Sequence, residues 1–124
     1  MADKFYQDVL LEHAKKPHNK KEIENPDFSK DEENPSCGDK ISMTGKLDDG
    51  RICEIGFGGH GCVISQATAS LLTETCLGKT IDEVLALGKD DVLALINIEL
   101  GPNRLRCALL SLDVLQQALK NCGE

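Results

Sequence analysis

Ile41, Met43, Gly45 and Leu47 alternate with Lys40, Ser42, Thr44 and Lys46. A period of two sustained in this way suits an extended strand with one apolar face and no helix. Asp48-Asp49-Gly50 follows, residue types that accept the left-handed backbone of a tight turn. The chain then returns over about 51–58 with Cys53, Ile55 and Phe57 at alternate positions, which predicts an antiparallel hairpin. A lone hairpin is marginal in water, so the remaining apolar residues must cover its face. They are spaced to do so as helices. Phe5, Tyr6, Val9, Leu10, His13 and Ala14, closed by Pro17, predict an amphipathic helix over about 4–15, with His13 packed or on its surface. Ile64, Ala67, Leu71 and Leu72 predict a second helix to about Leu77, stopped by Gly78, and the stripe Leu105, Ala108, Leu109, Leu112, Leu115 and Leu119 predicts a last one. Between them, Thr80-Ile81-Asp82-Glu83 is a capping box that opens a short helix, and Asp90-Asp91 suits the cap of another running to about Ile98. Lys15 to Pro35 carries three of the four prolines and mixed charge, and reads as loop with room for one short edge strand.

Composition narrows the functions open to such a chain. Its 124 residues fit one domain spanning 1–124. Fourteen basic residues against 21 acidic ones, with three Phe, one Tyr and no Trp, argue against nucleic-acid binding, which needs cationic surface and stacking platforms. The longest apolar run, Val92 to Ile96, falls far short of the roughly 20 residues of a membrane helix. Met1 to Asp8 lacks the apolar core of a secretory signal, so a cytoplasmic, reducing location is expected and no membrane association.

In that setting six cysteines argue against a disulfide framework. No pair forms C-x-x-C, so a metal site must be assembled from distant segments. Cys53 shares its predicted face with Ile55 and Phe57 and reads as a buried structural thiol, Cys76 reads as core, and Cys122 as incidental in a fraying tail. The other three stand at bends. Cys37 lies in the rigid turn Asn34-Pro35-Ser36-Cys37-Gly38-Asp39. Cys62 ends a stretch with glycines at 56, 58, 59 and 61, at a helix amino terminus where free amides and the helix dipole favour an anionic sulfur. Cys107 falls in the first turn of the last helix. These thiols, with Asp39 as a harder donor, could converge on one soft metal ion; from spacing alone the plainer reading is three partly buried thiols and a turn-forming Asp. Catalytic triad, Walker loop and dinucleotide fingerprint are all absent from the sequence.

Pro35-Ser36-Cys37-Gly38-Asp39, then Gly61-Cys62-Val63-Ile64-Ser65-Gln66-Ala67 with Ser70, then Arg104-Leu105-Arg106-Cys107-Ala108 resemble, in order, the motifs of the U-type iron–sulfur scaffold family: IscU, SufU and the amino-terminal domain of NifU. The resemblance implies a small α+β fold, a three-stranded antiparallel sheet with helices packed against it. It also implies a ligand set of Cys37, Asp39, Cys62 and Cys107 at one exposed end, holding a labile [2Fe-2S] cluster, or Zn2+ in its absence. The implied function is a non-enzymatic scaffold that takes iron and desulfurase-derived sulfur and transfers the assembled cluster to apo-proteins. The alternative is a zinc-containing SufU-type sulfur acceptor. Implied partners are a PLP-dependent cysteine desulfurase, apo iron–sulfur proteins, and frataxin-like or chaperone proteins; Cys37 and Cys107 are the candidate persulfide acceptors. Two features are mixed. Arg106 precedes the third cysteine as in SufU-type members, where IscU-type members carry His, whereas the short interval from Cys62 to Cys107 is IscU-like. Leu100-Gly101-Pro102-Asn103-Arg104 keeps only one Pro and the basic end of the Leu-Pro-Pro-Val-Lys segment that a dedicated Hsp70 reads in IscU-type members.

Overall fold

The computed structural model describes residues 4–34, 38–97 and 100–122, with 4–9 and Asn103 as backbone only. Three strands form one antiparallel sheet in the order β1 (Phe28–Asn34), β2 (Asp39–Asp48), β3 (Arg51–His60). The predicted hairpin is β2–β3, closed by Asp49 and Gly50 at φ +55° and +77°. Positive φ at both turn positions matches the twist of the flanking strands. β1 is the edge strand expected in the proline-bearing segment. Of its residues only Phe28 is buried; the polar remainder, Ser29 to Asn34, keeps the open edge wet.

Five helices complete the order: α1 (Lys4–Lys15) before the sheet, then α2 (Val63–Cys76), α3 (Ile81–Leu85), α4 (Lys89–Ile96) and α5 (Pro102–Cys122). α5 lies against β1 and β2, α2 against β3 and α5, and α1 against α2. Ile41, Met43, Ile55 and Phe57 from the hairpin meet Leu72 of α2 and Leu112, Leu115 and Leu119 of α5 in one core. Each such side chain contributes about 1.5–3 kcal/mol when removed from water, so the sheet–helix contact is the dominant stabilising layer. The outer edge of β3 is covered rather than bare: Phe57 N–H donates to the Asn19 carbonyl at 2.9 Å and Ile52 N–H to Lys79 at 2.9 Å. The loop after α1 also crosses the second face of the hairpin, where Ile23 N–H donates to Thr44 Oγ1 at 3.0 Å and closes off a threonine expected on the wet side.

Packing also sets the state of one histidine. His13 of α1 is buried against α2, and its imidazole is held below the ordinary pKa first by desolvation and then by nearby His18, with Glu74 and Glu12 acting in the opposite direction.

Four local expectations are corrected. Cys53 is exposed. A register shift between Lys46 and Leu47 pairs Leu47 with Ile52 but Lys46 with Glu54, so Cys53 is the extra residue of a β-bulge; Ile52 and Ile55 both turn inward and Cys53 turns out. Cys107 is the sixth residue of α5, not in its first turn, because Pro102 opens the helix at the position where a missing N–H costs nothing. Cys122 closes α5 half-buried against the core, and its thiol donates to the Leu119 carbonyl at 3.3 Å. α4 is capped by Gly88, whose N–H donates to Asp91 Oδ2 at 2.8 Å, and ends where Asn97 turns left-handed; Ile98 lies outside the described residues. The capping box at Thr80 is formed as expected, with Glu83 N–H donating to Thr80 Oγ1 at 3.1 Å and Thr80 N–H to Glu83 Oε1 at 3.0 Å.

The bulge and the core separate two thiols that sequence alone had grouped together. Burial pushes the Cys76 thiol up to about 11, and thiolate is the reactive form. Native protein treated with a thiol alkylator at pH 8 is expected to label Cys53 at least about 100-fold faster than Cys76. Peptide mass spectrometry against time reads this directly, and equal rates would contradict the bulge.

Candidate metal centre

Three of the four predicted ligands fall within the described residues, and the fold brings them together. Asp39 is the first residue of β2, Cys62 the N-cap of α2, and Cys107 sits in the second turn of α5. One donor atom of each lies within 4.8 Å of the others. Cys37 lies outside the described residues; in the chain it stands two positions before Asp39.

Each donor is delivered by a local device. Gly38 at φ +75° directs the chain into β2, where Asn34 pairs with Asp39. The glycine-rich end of β3 then delivers Cys62 in extended conformation, φ −71° and ψ 169°, to begin α2. Its side chain makes no capping bond to the helix amides; the Cys62 carbonyl instead accepts the Ser65 hydroxyl and the Gln66 N–H, both at 3.1 Å. The sulfur is therefore left to face Asp39.

Asp39 is only 2% exposed, and a buried carboxylate needs compensating donors. It accepts the Cys62 backbone N–H on Oδ1 at 3.0 Å and the Cys62 thiol on Oδ2 at 3.6 Å. Cys107 is 5% exposed, whereas Cys62 is partly open to solvent. The result is a pocket of two sulfurs and one carboxylate, closed on the α5 side and accessible at the start of α2. Donor atoms bound to one zinc ion at about 2.0–2.3 Å stand about 3.3–3.8 Å apart, so a contraction of about 1 Å closes this set around an ion. Sulfur donors select Zn and Fe–S chemistry, and the carboxylate provides a harder, more exchangeable position.

In the sequence, Gly61 belongs to a glycine-rich stretch that suits close approach and leaves room for a metal or a partner's loop, with no partner named for it. A Cβ there would stand 2.5 Å from Asp39 Oδ1 and 2.5 Å from Ser65 Oγ, so its lack of a side chain is what admits the carboxylate. The available signal was its place immediately before Cys62. A second group, His13, His18 and Glu74, also brings donor atoms within 4.8 Å of one another and was not anticipated.

The sequence matches the NifU-like N-terminal domain family over residues 5–123. It is 32% identical to a Streptococcus pyogenes protein named iron–sulfur cluster assembly scaffold protein IscU, over 94% of this chain and 83% of that one. It is 34% identical to the zinc-dependent sulfurtransferase SufU of Bacillus subtilis, over 94% and 90%. Among solved structures, a candidate iron–sulfur cluster assembly scaffold of the SUF system from Fervidobacterium islandicum superposes with a TM-score of 0.80 at 26% identity, over 90% of this chain and 93% of that one.

Gly61→Ala tests whether the pocket depends on that missing side chain. The variant keeps every donor yet forces the Asp39 carboxylate aside, and is expected to lower Zn2+ affinity at least tenfold, about 1.4 kcal/mol, in competition with a chromophoric chelator. Unchanged affinity would remove Asp39 from the centre.

Proposed function

The chain belongs to the NifU-like N-terminal domain family, and we propose that it is an iron–sulfur cluster assembly scaffold whose centre is Cys37, Asp39, Cys62 and Cys107. The observation that carries the proposal is the convergence of Asp39, Cys62 and Cys107 from a strand start, a helix cap and a third element onto one small volume. The cargo is a [2Fe-2S] cluster built from iron and from sulfur supplied by a PLP-dependent cysteine desulfurase, then passed to apo-proteins in the cytoplasm. Among the described residues no helix is long and apolar enough to cross a membrane.

The donor set suits transient holding. Thiolates bind iron strongly, and three of them with one carboxylate leave a position from which an incoming cysteine displaces the weakest donor. The Cys62 thiol donates to Asp39 Oδ2 at 3.6 Å. Metal entry releases that proton and replaces the hydrogen bond with two metal–donor bonds. Sulfur arrives when a scaffold thiolate attacks the terminal sulfur of a desulfurase persulfide and the desulfurase cysteine leaves as thiolate, a transfer with no net oxidation. Of the two candidate acceptors, Cys107 is 5% exposed and is reached only if the centre opens, which favours Cys37 as first acceptor. A frataxin-like partner, or a chaperone reading Leu100–Arg104, belongs to the same proposal.

A second reading, a zinc-dependent sulfur acceptor, draws on exposed Arg106 and on the name of the Bacillus subtilis relative. Anaerobic reconstitution with ferrous iron, cysteine, a desulfurase and an electron donor that reduces persulfide sulfur to sulfide separates the two. The scaffold reading expects the absorption of a [2Fe-2S] cluster and its transfer to an apo-ferredoxin; persulfide on a protein that retains zinc and forms no cluster would favour the second. Asp39→Ala is expected to keep its cluster longer and to transfer it at least about tenfold more slowly, because the exchangeable donor is gone. Equal rates at equal loading would return Asp39 to a purely structural part.

A further inference from the structure

α1, the loop after it and α2 meet at a second set of metal-type donors. His13 projects from α1, His18 follows Pro17, and Glu74 lies near the end of α2. One ring nitrogen of each histidine and one Glu74 carboxylate oxygen lie within 4.8 Å of one another. His18 Nδ1 stands 3.0 Å from Glu74 Oε2, so these two donors already face each other in direct polar contact. The two imidazoles are tilted at 41° with centroids 4.5 Å apart, so they do not stack face to face.

The surroundings orient this set. Ser70 Oγ stands 2.7 Å from His13 Nδ1 and accepts the His18 backbone N–H at 2.7 Å, so one hydroxyl anchors both histidine-bearing segments. Metal-bound histidines are usually held in this way, the second ring nitrogen donating to an oxygen, which fixes the tautomer and the ring plane. In the tautomer that donates Nδ1–H to Ser70 Oγ, His13 Nε2 keeps a free lone pair for an ion. His13 is buried while His18 and Glu74 are about half exposed, which leaves the set anchored on one side and open to water on the other.

We propose that His13, His18 and Glu74 form a second metal site, for a divalent first-row transition ion such as Zn2+ or Co2+, with water in its remaining positions. Two imidazoles and a carboxylate suit borderline ions of this class, not Mg2+ or Ca2+, which require mostly oxygen. The site is separate from the thiolate centre: Glu74 lies twelve residues beyond Cys62 along α2, about 18 Å at 1.5 Å per residue. Lacking sulfur and open to solvent, it binds its ion more weakly than the thiolate centre binds zinc, and exchanges it freely.

The test is Co2+ titration of the full chain already loaded with one equivalent of Zn2+, anaerobically and without thiol reductant. Wild type is expected to take up one further ion with cobalt d–d absorption and without the near-ultraviolet thiolate-to-cobalt band. In a parallel Zn2+ titration the His13 and His18 ring resonances are expected to shift together at the second equivalent. His18→Ala and Glu74→Gln, both at half-exposed positions, are expected to weaken this second ion at least tenfold and leave the first unchanged. Cys62→Ser is expected to retain it. Uptake of only one ion by wild type, a second ion carrying the thiolate band, or unchanged second-ion affinity in both variants would overturn the proposal.

Discussion

Asp39 is the point through which the sheet and the helices are joined at the centre. Its carboxylate is buried at the first residue of β2 and accepts both the amide and the thiol of Cys62, the N-cap of α2. Leaving a buried carboxylate unpaired costs several kcal/mol, so the strand start and the helix start are held in register by electrostatics as well as by packing. Gly61 permits the approach, and α5 closes the far side with Cys107. Moving any of the three elements would separate donors that share no local sequence.

How far the sequence foretold this depends on whether the cause was local. The hairpin was legible because period two and an Asp-Asp-Gly turn are written in adjacent residues, and the start of α2 was legible because Gly61-Cys62 precedes a helical stripe. Cys53 was misread because a bulge reverses the alternation after Ile52, and the pairing that forces it lies on the other strand at Lys46 and Leu47. Cys107 was set too near its helix start because Pro102 was taken as a break when it is the first helical residue. The approach of Asp39 to Cys62 was left open by the residues, which suit convergence on an ion or a plain turn, and was implied by the family resemblance. The cluster of His13, His18 and Glu74 was not seen, since it arises from α1 packing on α2 across more than fifty positions.

α2 explains why both groups of donors occur where they do. Ser65, Gln66, Thr68, Ser70 and Thr73 are all buried on it, an unusual polar load for a helix packed between a sheet and the helices α1, α4 and α5. Several of these groups are satisfied within the helix: the Thr68 hydroxyl donates to Ile64 at 2.6 Å and the Thr73 hydroxyl to Ser70 at 2.9 Å. Ser70 reaches out to His13 and His18, and Gln66 accepts from Lys20 Nζ at 3.1 Å. A leucine-rich helix would pack more tightly against α1 but would supply no hydroxyl to hold a loop in place. The polar face thus trades some hydrophobic stabilisation for directional contacts that position α1 and the segment after it.

In the proposed scaffold, the same exchange of packing for direction governs occupancy of the thiolate centre. An ion held from separate elements stabilises the folded chain by about 2.7 kcal/mol at a free concentration 100 times Kd, a sizeable part of the roughly 5–15 kcal/mol of an ordinary domain. A carrier that lost this much whenever it released its cargo would risk unfolding with every delivery. The Asp39–Cys62 pair offsets the loss, because a proton on Cys62 and the Cys62 amide satisfy the carboxylate when no metal is present. Proton and metal are alternative occupants of one arrangement, and the sheet start and helix cap need not separate for either to leave.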